Sequence, residues 1–173
     1  MASMNFDQIF YRSPLGTLTI KASEDAITEI SFLNSNKGDK VNEAEIEFIS
    51  SQSSVINNCI KQLDEYFSGE RKVFDLALTH TGTVFQKEVW KELMNIPYGK
   101  NISYLLLSRR IENVKAIRAV GTANGNNKIC IVVPCHRVIG SDGTLVGYSG
   151  DLWRKKWLLD HEAKFAHGVQ ELF

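Results

Sequence analysis

The hydrophobic pattern of the chain changes from a two-residue period to a helical period near residue 42, and few fold classes accommodate that change. Before this point, three runs rich in Ile, Thr and Phe partly alternate between apolar and polar residues: QIFYR, GTLTIKAS and AITEISFL. Turn-forming residues separate the runs, which predicts a small antiparallel meander. From about 42 to 67, apolar residues such as Val55 and Leu63 recur at helical spacing. This order predicts a sheet-plus-helix domain within a fold of the α/β (α+β) class.

The stretch THTGT, residues 79–83, is where we predict a domain boundary. It follows a further strand candidate, KVFDLAL, and precedes a region of different charge. Residues 1–70 carry 5 Lys/Arg against 11 Asp/Glu, whereas residues 101–160 carry 9 against 4. We therefore predict a structural N-terminal domain over 1–79 and a second domain over 80–173. The basic second domain indicates an anionic partner such as nucleic acid, although chance asymmetry on a solvated surface gives the same balance.

Capping patterns predict the helices of the second domain. Thr83 and Gln86 form a predicted capping box at the start of an amphipathic helix. Ser103 is expected to cap a second helix that runs to about residue 110, and Asn113 is expected to cap a third helix over 114–123. Two short helices joined by RIEN resemble a helix-turn-helix.

An apolar strand, a cysteine turn and a glycine-rich stretch follow these helices. The strand is predicted over 129–133, and a last helix is predicted from about Leu152 to Ala163. We therefore expect a mostly helical C-terminal domain of the winged helix-turn-helix type, with the cysteine turn inside it.

Composition argues against several classes of protein. Three cysteines, Cys59, Cys130 and Cys135, in a chain whose N-terminus lacks a secretory pattern argue against a disulfide framework. The absence of a C-x-x-C pair and the scattered histidines argue against a metal site. No apolar run reaches 18 residues, so we predict no transmembrane helix. We expect an intracellular, cytoplasmic protein.

The segment VPCHR places a thiol, an imidazole and a guanidinium in succession. A cysteine reacts as its thiolate, which needs a nearby base or positive charge at neutral pH. His136 is adjacent to Cys135, but neighbours on a strand point to opposite faces, so the pair can meet only if Pro134 sets a turn. Glu162 on the last helix is a possible orienting carboxylate. From the residues alone, a catalytic thiol and a buried structural thiol both remain open.

Further motifs over residues 83–163 extend this pattern. The run IVVPCHRVIG resembles the active-site signature of the O6-alkylguanine-DNA alkyltransferases, the methylated-DNA–protein-cysteine methyltransferases. Other motifs follow in the order and spacing of that family: FQKEVW, IPYGK, SY, RAVG, AN, GYSG and WLLDHE. Residues 1–78 are similar to the N-terminal domain of the family only in layout.

The resemblance implies DNA repair by a single-turnover reaction. The family's cysteine takes an alkyl group from O6 of guanine, with O4 of thymine as a second implied target, and keeps it as a thioether without a cofactor or metal. The resemblance assigns that role to Cys135, with His136 as a base acting through a water, Glu162 orienting it and Asn127 joining the network. It also implies residues that bind the substrate base: Tyr104, Val138, Tyr148 and Ser149.

The partner implied by the resemblance is double-stranded DNA that carries O6-alkylguanine, bound through its minor groove by a monomer. Because O6 is hidden inside a duplex, the nucleotide must be flipped out. Arg118 matches the arginine that fills the gap left by the base. Small residues would permit close approach to the DNA, and Ala119, Gly121, Ala123 and Gly125 fit that need. Charge adds candidates for phosphate contacts, with a solvated surface charge as the alternative for each: Lys115, Lys128, Arg154, Lys155 and Lys156.

The sequence departs from the family pattern beside the active-site segment. Lys128 stands where a proline is common, and Cys130 stands where small residues or proline are common. Two other functions stay open beside alkyl transfer. A cysteine hydrolase would turn over, and a helix-turn-helix regulator or non-catalytic lesion-binding protein would bind DNA without consuming a thiol.

Overall fold

The computed structural model describes residues 6–166, and its contacts divide the chain into two compact units. The first unit comprises Met1–Thr81 and Lys128–Val132, and the second comprises Gly82–Asn127 and Val133–Phe173. The return of the chain to the first unit was not predicted, because periodicity does not reveal which segments pair. The parts of the predicted domains at 1–5 and 167–173 lie outside the described residues.

The predicted meander is confirmed as a three-stranded antiparallel sheet. Its strands are β1 (Asp7–Ser13), β2 (Gly16–Ala22) and β3 (Ile27–Phe32), in the order β1-β2-β3. The register aligns the buried residues of one face, since Ile20 lies opposite Ile9 on one side and Ile30 on the other. A cross-strand row of buried β-branched side chains stabilises the pairing.

The first long helix, α1 (Ser54–Phe67), begins about 12 residues later than predicted. Ser53 caps it by accepting a hydrogen bond from the Ile56 amide, and the buried face contains Ile56, Cys59, Leu63 and Tyr66. Upstream, only a short 3-10 helix forms, Glu43–Glu45, and it has no buried residue. Helical spacing without apolar burial does not maintain a helix, because packing supplies most helical stability.

Two predicted strands are not formed. In KVFDLAL, the Gln62 side chain bonds both the amide and the carbonyl of Asp75 at 2.8 Å, and only Leu78 forms a bridge, with Ile27. In the segment 129–133, Ile129 forms a single bridge with Ile30, and Ile131 has a φ of +73°. A positive φ at a β-branched residue is incompatible with a strand. Side-chain hydrogen bonds and backbone strain thus replace the pairing that composition predicts.

The second unit is mostly helical, as predicted. The capping box of Thr83 and Gln86 opens α2 (Val84–Leu93), and Ser103 caps α3 (Tyr104–Arg110) through the Leu106 amide. A 3-10 turn, Val114–Ala116, leads into α4 (Ile117–Gly125). The last helix is α5 (Leu152–Ala166). These elements confirm the predicted α/β (α+β) class.

Two details of the second unit differ from the prediction. The side chain of Asn113 makes no capping hydrogen bond, because the chain enters a 3-10 turn in which the Asn113 carbonyl accepts from Ala116. A two-stranded parallel sheet that was not predicted joins β4 (Ile102–Ser103) to β5 (Val138–Ile139). Strands of two residues carry no readable period.

A buried tryptophan connects the helices of the second unit. The Trp90 indole Nε1 donates a 2.8 Å hydrogen bond to the Ala123 carbonyl and so ties α2 to α4. Leu93, Ile96 and Val120 are fully buried in the same unit. None of the helices described over 6–166 is both long and apolar enough to span a bilayer.

Candidate active site

Cys135 lies in a short 3-10 helix, Cys135–Arg137, and not at the end of a strand. Pro134 precedes it with φ −82° and ψ 61°, and the Cys135 amide donates to the Val133 carbonyl at 2.8 Å. Only 2% of Cys135 is exposed. In a 3-10 turn, successive side chains rotate by roughly 120° instead of alternating between faces. His136 and Arg137 can therefore both turn toward α5.

Glu162 on α5 bonds both neighbours of the cysteine. His136 Nε2 lies 2.8 Å from Glu162 Oε1, while Arg137 donates from Nε to Oε2 at 2.8 Å and from Nη2 to Oε1 at 2.9 Å. Arg137 Nη1 also donates to the Ile96 carbonyl at 2.7 Å. All three side chains are buried. A two-point Arg–carboxylate pair fixes the carboxylate, which in turn fixes the imidazole.

The charges of this network follow from burial and pairing. Burial alone would raise the pKa of Glu162, but the interactions with His136, which carries a charge only when it is protonated at low pH, and with the permanently charged Arg137 outweigh burial and hold that pKa well below its usual range. Burial lowers the pKa of His136 despite the opposing effect of Glu162. The imidazole is therefore neutral at pH 7 and donates its Nε2 hydrogen to the carboxylate. Its Nδ1 keeps a lone pair and has no hydrogen-bond partner within residues 6–166.

Two asparagines hold the cysteine itself. Asn127 Nδ2 lies 3.1 Å from Cys135 Sγ and donates to the Val133 carbonyl at 2.9 Å. Asn124 Nδ2 donates to the Cys135 carbonyl at 3.3 Å. Burial raises the pKa of the Cys135 thiol, and the Asn127 hydrogen bond and the Lys155 charge oppose that rise. The sulfur thus rests as a thiol beside groups that favour its anion.

A cavity of about 480 Å³ opens beside α3 and α4. Its lining is Tyr104, Ile117, Arg118, Gly121, Thr122, Val146 and Gly147. The Tyr104 hydroxyl donates to the Val146 carbonyl at 3.0 Å. Gly147 has a φ of +61°, and a Cβ there would lie 3.3 Å from the Tyr104 oxygen, so both conformation and space favour glycine.

Models of a known family match both parts of the chain. The model described as 6-O-methylguanine DNA methyltransferase, DNA binding domain, matches residues 84–164. The model of the same family's ribonuclease-like domain matches residues 8–79. The chain belongs to the 6-O-methylguanine DNA methyltransferase family. The resemblance inferred from the motifs is therefore confirmed.

Relatives within the family extend over most of the chain. A methylated-DNA–protein-cysteine methyltransferase of Methanosarcina acetivorans is 40% identical over 152 residues, covering 88% of this chain and 95% of the relative. One from Mycobacterium tuberculosis is 40% identical over 168 residues, covering 95% and 99%. A crystal structure of Mycobacterium tuberculosis OGT in complex with DNA has a TM-score of 0.79 and 38% identity, covering 90% of this chain and 92% of that chain.

The structure brings most predicted site residues together within the second unit. Cys135, His136, Glu162 and Asn127 form one network, and Tyr104 and Arg118 line the cavity with Gly121. Val138 and Tyr148 are buried and Ser149 is half-buried, but none of the three lines that cavity. The Val138 amide bonds the Cys135 carbonyl.

The residues expected at the DNA divide into exposed and buried groups. Lys115, Arg118 and Ala119 are exposed, Gly121 and Gly125 are half-buried, and Lys128 and Lys156 are exposed. Ala123 is buried with its carbonyl bonded to Trp90, so it belongs to the core and the expectation that it faces DNA is wrong.

The expected phosphate contacts of Arg154 and Lys155 are also contradicted. Arg154 is buried and donates to the Gly150 carbonyl and the Asp151 carboxylate. Lys155 is fully buried and donates from Nζ to the Val146 carbonyl at 2.8 Å. The positions 155, 158 and 162 share one helical face with buried Leu158 and Glu162, and this spacing could have placed Lys155 inside.

Two residues of the network were not predicted from the sequence. Arg137 was noted only as a nearby charge, although it makes two hydrogen bonds to Glu162. Asn124 appeared only within the AN motif, although its amide bonds the Cys135 carbonyl. Arg137 stands in a largely apolar segment, where a polar residue needs a buried partner, and this gives a usable signal without naming the partner. Asn124 stands in the polar run TANGNN, which gives no such signal.

Proposed function

We propose that this protein repairs DNA by moving an alkyl group, methyl above all, from O6 of guanine to the Sγ of Cys135, and that each molecule acts once. The observation that carries the proposal is a buried thiol 3.1 Å from the Asn127 amide, beside an imidazole whose other nitrogen bonds Glu162 at 2.8 Å. A thiol with a structural role needs packing but no oriented base.

The reaction begins with removal of the thiol proton. A water relays that proton from Sγ to His136 Nδ1, because Nε2 is already committed to Glu162. The carboxylate then stabilises the resulting imidazolium, as in a nucleophile–base–carboxylate triad. Arg137 holds the carboxylate ionised and in place throughout. The Asn127 amide and the Lys155 charge favour the thiolate that forms.

The thiolate then attacks the alkyl carbon on O6. The new S–C bond forms as the C–O6 bond breaks, and the electron pair of that bond passes to the guanine ring. Tyr104, which lines the cavity, donates a proton to N3 and so makes the base a better leaving group. The proton taken by His136 then passes through solvent to the Tyr104 phenolate, and the proton on guanine moves from N3 to N1, so both side chains regain their resting protonation states. The net change is thiol plus O6-alkylguanine to thioether plus guanine, without a cofactor, and a thioether is not hydrolysed.

The DNA partner is double-stranded, and the protein binds it in the minor groove. Lys115 in the 3-10 turn before α4, and Arg118 and Ala119 on α4, are exposed, and Arg118 lines the cavity together with half-buried Gly121. Small residues permit close approach, Lys115 reaches phosphate, and Arg118 replaces the flipped base in the stack. Val138, Tyr148 and Ser149 contribute to the base's surroundings deeper in the unit. One polypeptide carries every group of this scheme, so we propose a monomer.

The same attack on O4 of alkylated thymine is chemically equivalent and is a second proposed reaction. The reaction requires a reduced thiol, so we propose that it occurs where the DNA is kept in a reducing compartment, the cytoplasm or, in a eukaryote, the nucleus. A protein that only binds lesions is a less favoured function, because it has no use for the network around Cys135.

Intact-protein mass spectrometry after incubation with excess O6-methylguanine duplex tests the proposal. One added methyl per molecule, on the Cys135 peptide, is expected, and Cys135→Ala is expected to bind the lesion without gaining mass. Cys130→Ala is the matched control, because Cys130 is also buried but belongs to the first unit. Repeated turnover would identify a hydrolase, and an unmodified wild-type protein that still binds the duplex would identify a lesion-binding protein.

A further inference from the structure

Lys155 is a buried ammonium beside the cavity for which the sequence suggested a different role. Its side chain is 0% exposed, and its Nζ donates to the Val146 carbonyl at 2.8 Å. The same carbonyl accepts the Tyr104 hydroxyl at 3.0 Å. One backbone oxygen therefore joins a cation on α5 to the phenol on α3. The Lys155 Nζ also lies 5.7 Å from the centre of the Tyr104 ring.

The carbonyl that joins these two groups belongs to a loop at the cavity. Val146 and Gly147 both line the cavity, and Val146 is 44% exposed. Gly147 adopts a φ of +61°, and because glycine has no Cβ, this residue restrains the backbone of the loop little. The two hydrogen bonds on the Val146 oxygen fix this part of the loop, and only the one from Lys155 comes from a charged group. A charge-assisted hydrogen bond is roughly twice as strong as a neutral one.

The Tyr104 hydroxyl cannot donate to the Val146 carbonyl and to a base at the same time, since a phenol has one hydrogen. When the hydroxyl turns to a guanine, the Val146 oxygen loses one of its two donors. The ammonium keeps that oxygen satisfied and keeps the loop in place. Without Lys155, the same turn would leave the carbonyl with neither of these donors.

We propose that Lys155 is a positioning residue for alkyl transfer, which holds the Val146 carbonyl so that the Tyr104 hydroxyl stays at the cavity and can be released to the base. The inference rests on the proposed function, because it requires Tyr104 to act on a guanine. A second contribution is electrostatic. Burial lowers the pKa of Lys155 to about 8, so it is mostly charged at neutral pH, and its charge opposes the raised pKa of Cys135.

A double-mutant cycle tests the coupling between the two side chains. Single-turnover methyl transfer from O6-methylguanine duplex is measured at saturating protein for Lys155→Met, Tyr104→Phe and the double variant. Lys164→Met is the matched control, because Lys164 lies exposed on the same helix. Lys155→Met is expected to slow transfer at least about tenfold alone but only about threefold or less in the Tyr104→Phe background. The factor that remains in the Tyr104→Phe background measures the effect of the Lys155 charge on the thiolate of Cys135.

The outcomes separate this inference from the proposed function. The same factor for Lys155→Met in both backgrounds would overturn the positioning role, and so would a rate equal to that of Lys164→Met. In either case, a wild-type protein that gains a methyl on Cys135 would still support the proposed function. A wild-type protein that gains no methyl would contradict both the proposed function and the positioning role of Lys155.

A measurement on the wild-type protein covers the case in which Lys155→Met fails to fold. The nuclear magnetic resonance shifts of the Val146 carbonyl carbon and the Lys155 Nζ are expected to titrate together, with a midpoint of about 8. The other titratable groups facing Lys155 are Cys135 and His136 from the cysteine turn and Tyr104 from α3, with the Asp151–Arg154 pair at the start of its own helix. Burial raises the pKa of Cys135 and Tyr104 and lowers that of His136, so their own titrations, followed in the same spectra, identify any contribution they make. A Val146 signal that does not follow the Lys155 titration would overturn the inference.

Discussion

Glu162→Gln removes one charge from the centre of the network while keeping the size of the side chain. Glu162 accepts two hydrogen bonds from Arg137 and one from His136, and all three side chains are buried. Glutamine offers one acceptor oxygen in place of two, and its amide hydrogens face the donors of Arg137. The guanidinium charge is left buried without a counter-charge.

The expected loss of stability follows from this uncompensated charge. Removing one partner of a buried pair costs about 3–5 kcal/mol, and we expect about 3 because one acceptor and the Ile96 carbonyl remain for Arg137. For a chain of this size, that corresponds to a fall in melting temperature of roughly 6–12 °C. Asp160→Asn on the same helix is the control. Its partner Lys156 is exposed, so we expect a change of less than about 1 kcal/mol.

The catalytic consequence has a definite sign. The imidazolium formed at His136 loses its stabilising carboxylate, so the thiolate becomes harder to form. Transfer from O6-methylguanine duplex is expected to slow by roughly tenfold or more, with the pH–rate profile displaced to higher pH. Single-turnover rates across pH, taken on protein shown to be folded, measure both effects. A folded variant with the wild-type rate and profile would refute the role of Glu162 as orienting group.

The same carboxylate predicts how stability responds to acid. The pKa of Glu162 is lowered in the folded protein, so its contribution is present above its unfolded pKa and is lost as pH falls through the folded value. Burial also lowers the pKa of His136 in the folded protein. Below the usual pKa of histidine, the unfolded chain therefore binds a proton at His136 that the folded protein does not bind, and this also lowers the stability as pH falls. Wild-type protein should therefore lose more stability than Glu162→Gln between neutral and acid pH, as thermal unfolding would show.

Three further substitutions separate sulfur activation, base flipping and phosphate binding. Asn127→Ala removes the amide 3.1 Å from Cys135 Sγ, so transfer should slow several-fold at neutral pH and recover as pH rises; a uniform loss at all pH values would indicate a structural role. Arg118→Ala should slow repair of duplex DNA by an amount corresponding to roughly 1–3 kcal/mol but barely affect free O6-benzylguanine, because only the duplex requires flipping; equal losses on both substrates would contradict the stacking role. Lys115→Ala should weaken binding to any duplex and reduce the salt slope by about one unit, measured by titrations at several salt concentrations; an unchanged slope would place Lys115 away from phosphate.

The fold was predictable where burial and periodicity agree. The meander alternates and is buried on one face, and α2 carries both a capping box and the buried residues Val89, Trp90 and Leu93. The failures share a cause, which is that a local pattern does not reveal competition from distant side chains. Gln62 takes the hydrogen bonds of the Asp75 backbone that a strand would have used.

The segment before the cysteine shows the same limit more sharply. Its β-branched composition predicts a strand, yet Ile131 adopts a φ of +73° and the chain pairs only at Ile129. Lys128 and Cys130, whose identities depart from the family pattern, both bond the backbone of Ile30. The Lys128 carbonyl accepts from the Ile30 amide, a bond that a proline at 128 would keep. The Cys130 amide donates to the Ile30 carbonyl, a bond that a proline at 130 could not make.

The site was predictable as a set of residues but not as a geometry. Motif order could name Cys135, His136 and Glu162, whereas strand geometry argued that adjacent residues could not meet. The 3-10 turn resolves this conflict, because its rotation of roughly 120° per residue lets His136 and Arg137 both reach one carboxylate while Cys135 faces Asn127. The arginine of the motif, Arg137, is then needed to keep Glu162 ionised and in place. A buried carboxylate paired with a neutral imidazole alone would tend to take up a proton, and the Arg137 charge prevents that, so the base next to the thiol keeps its orientation.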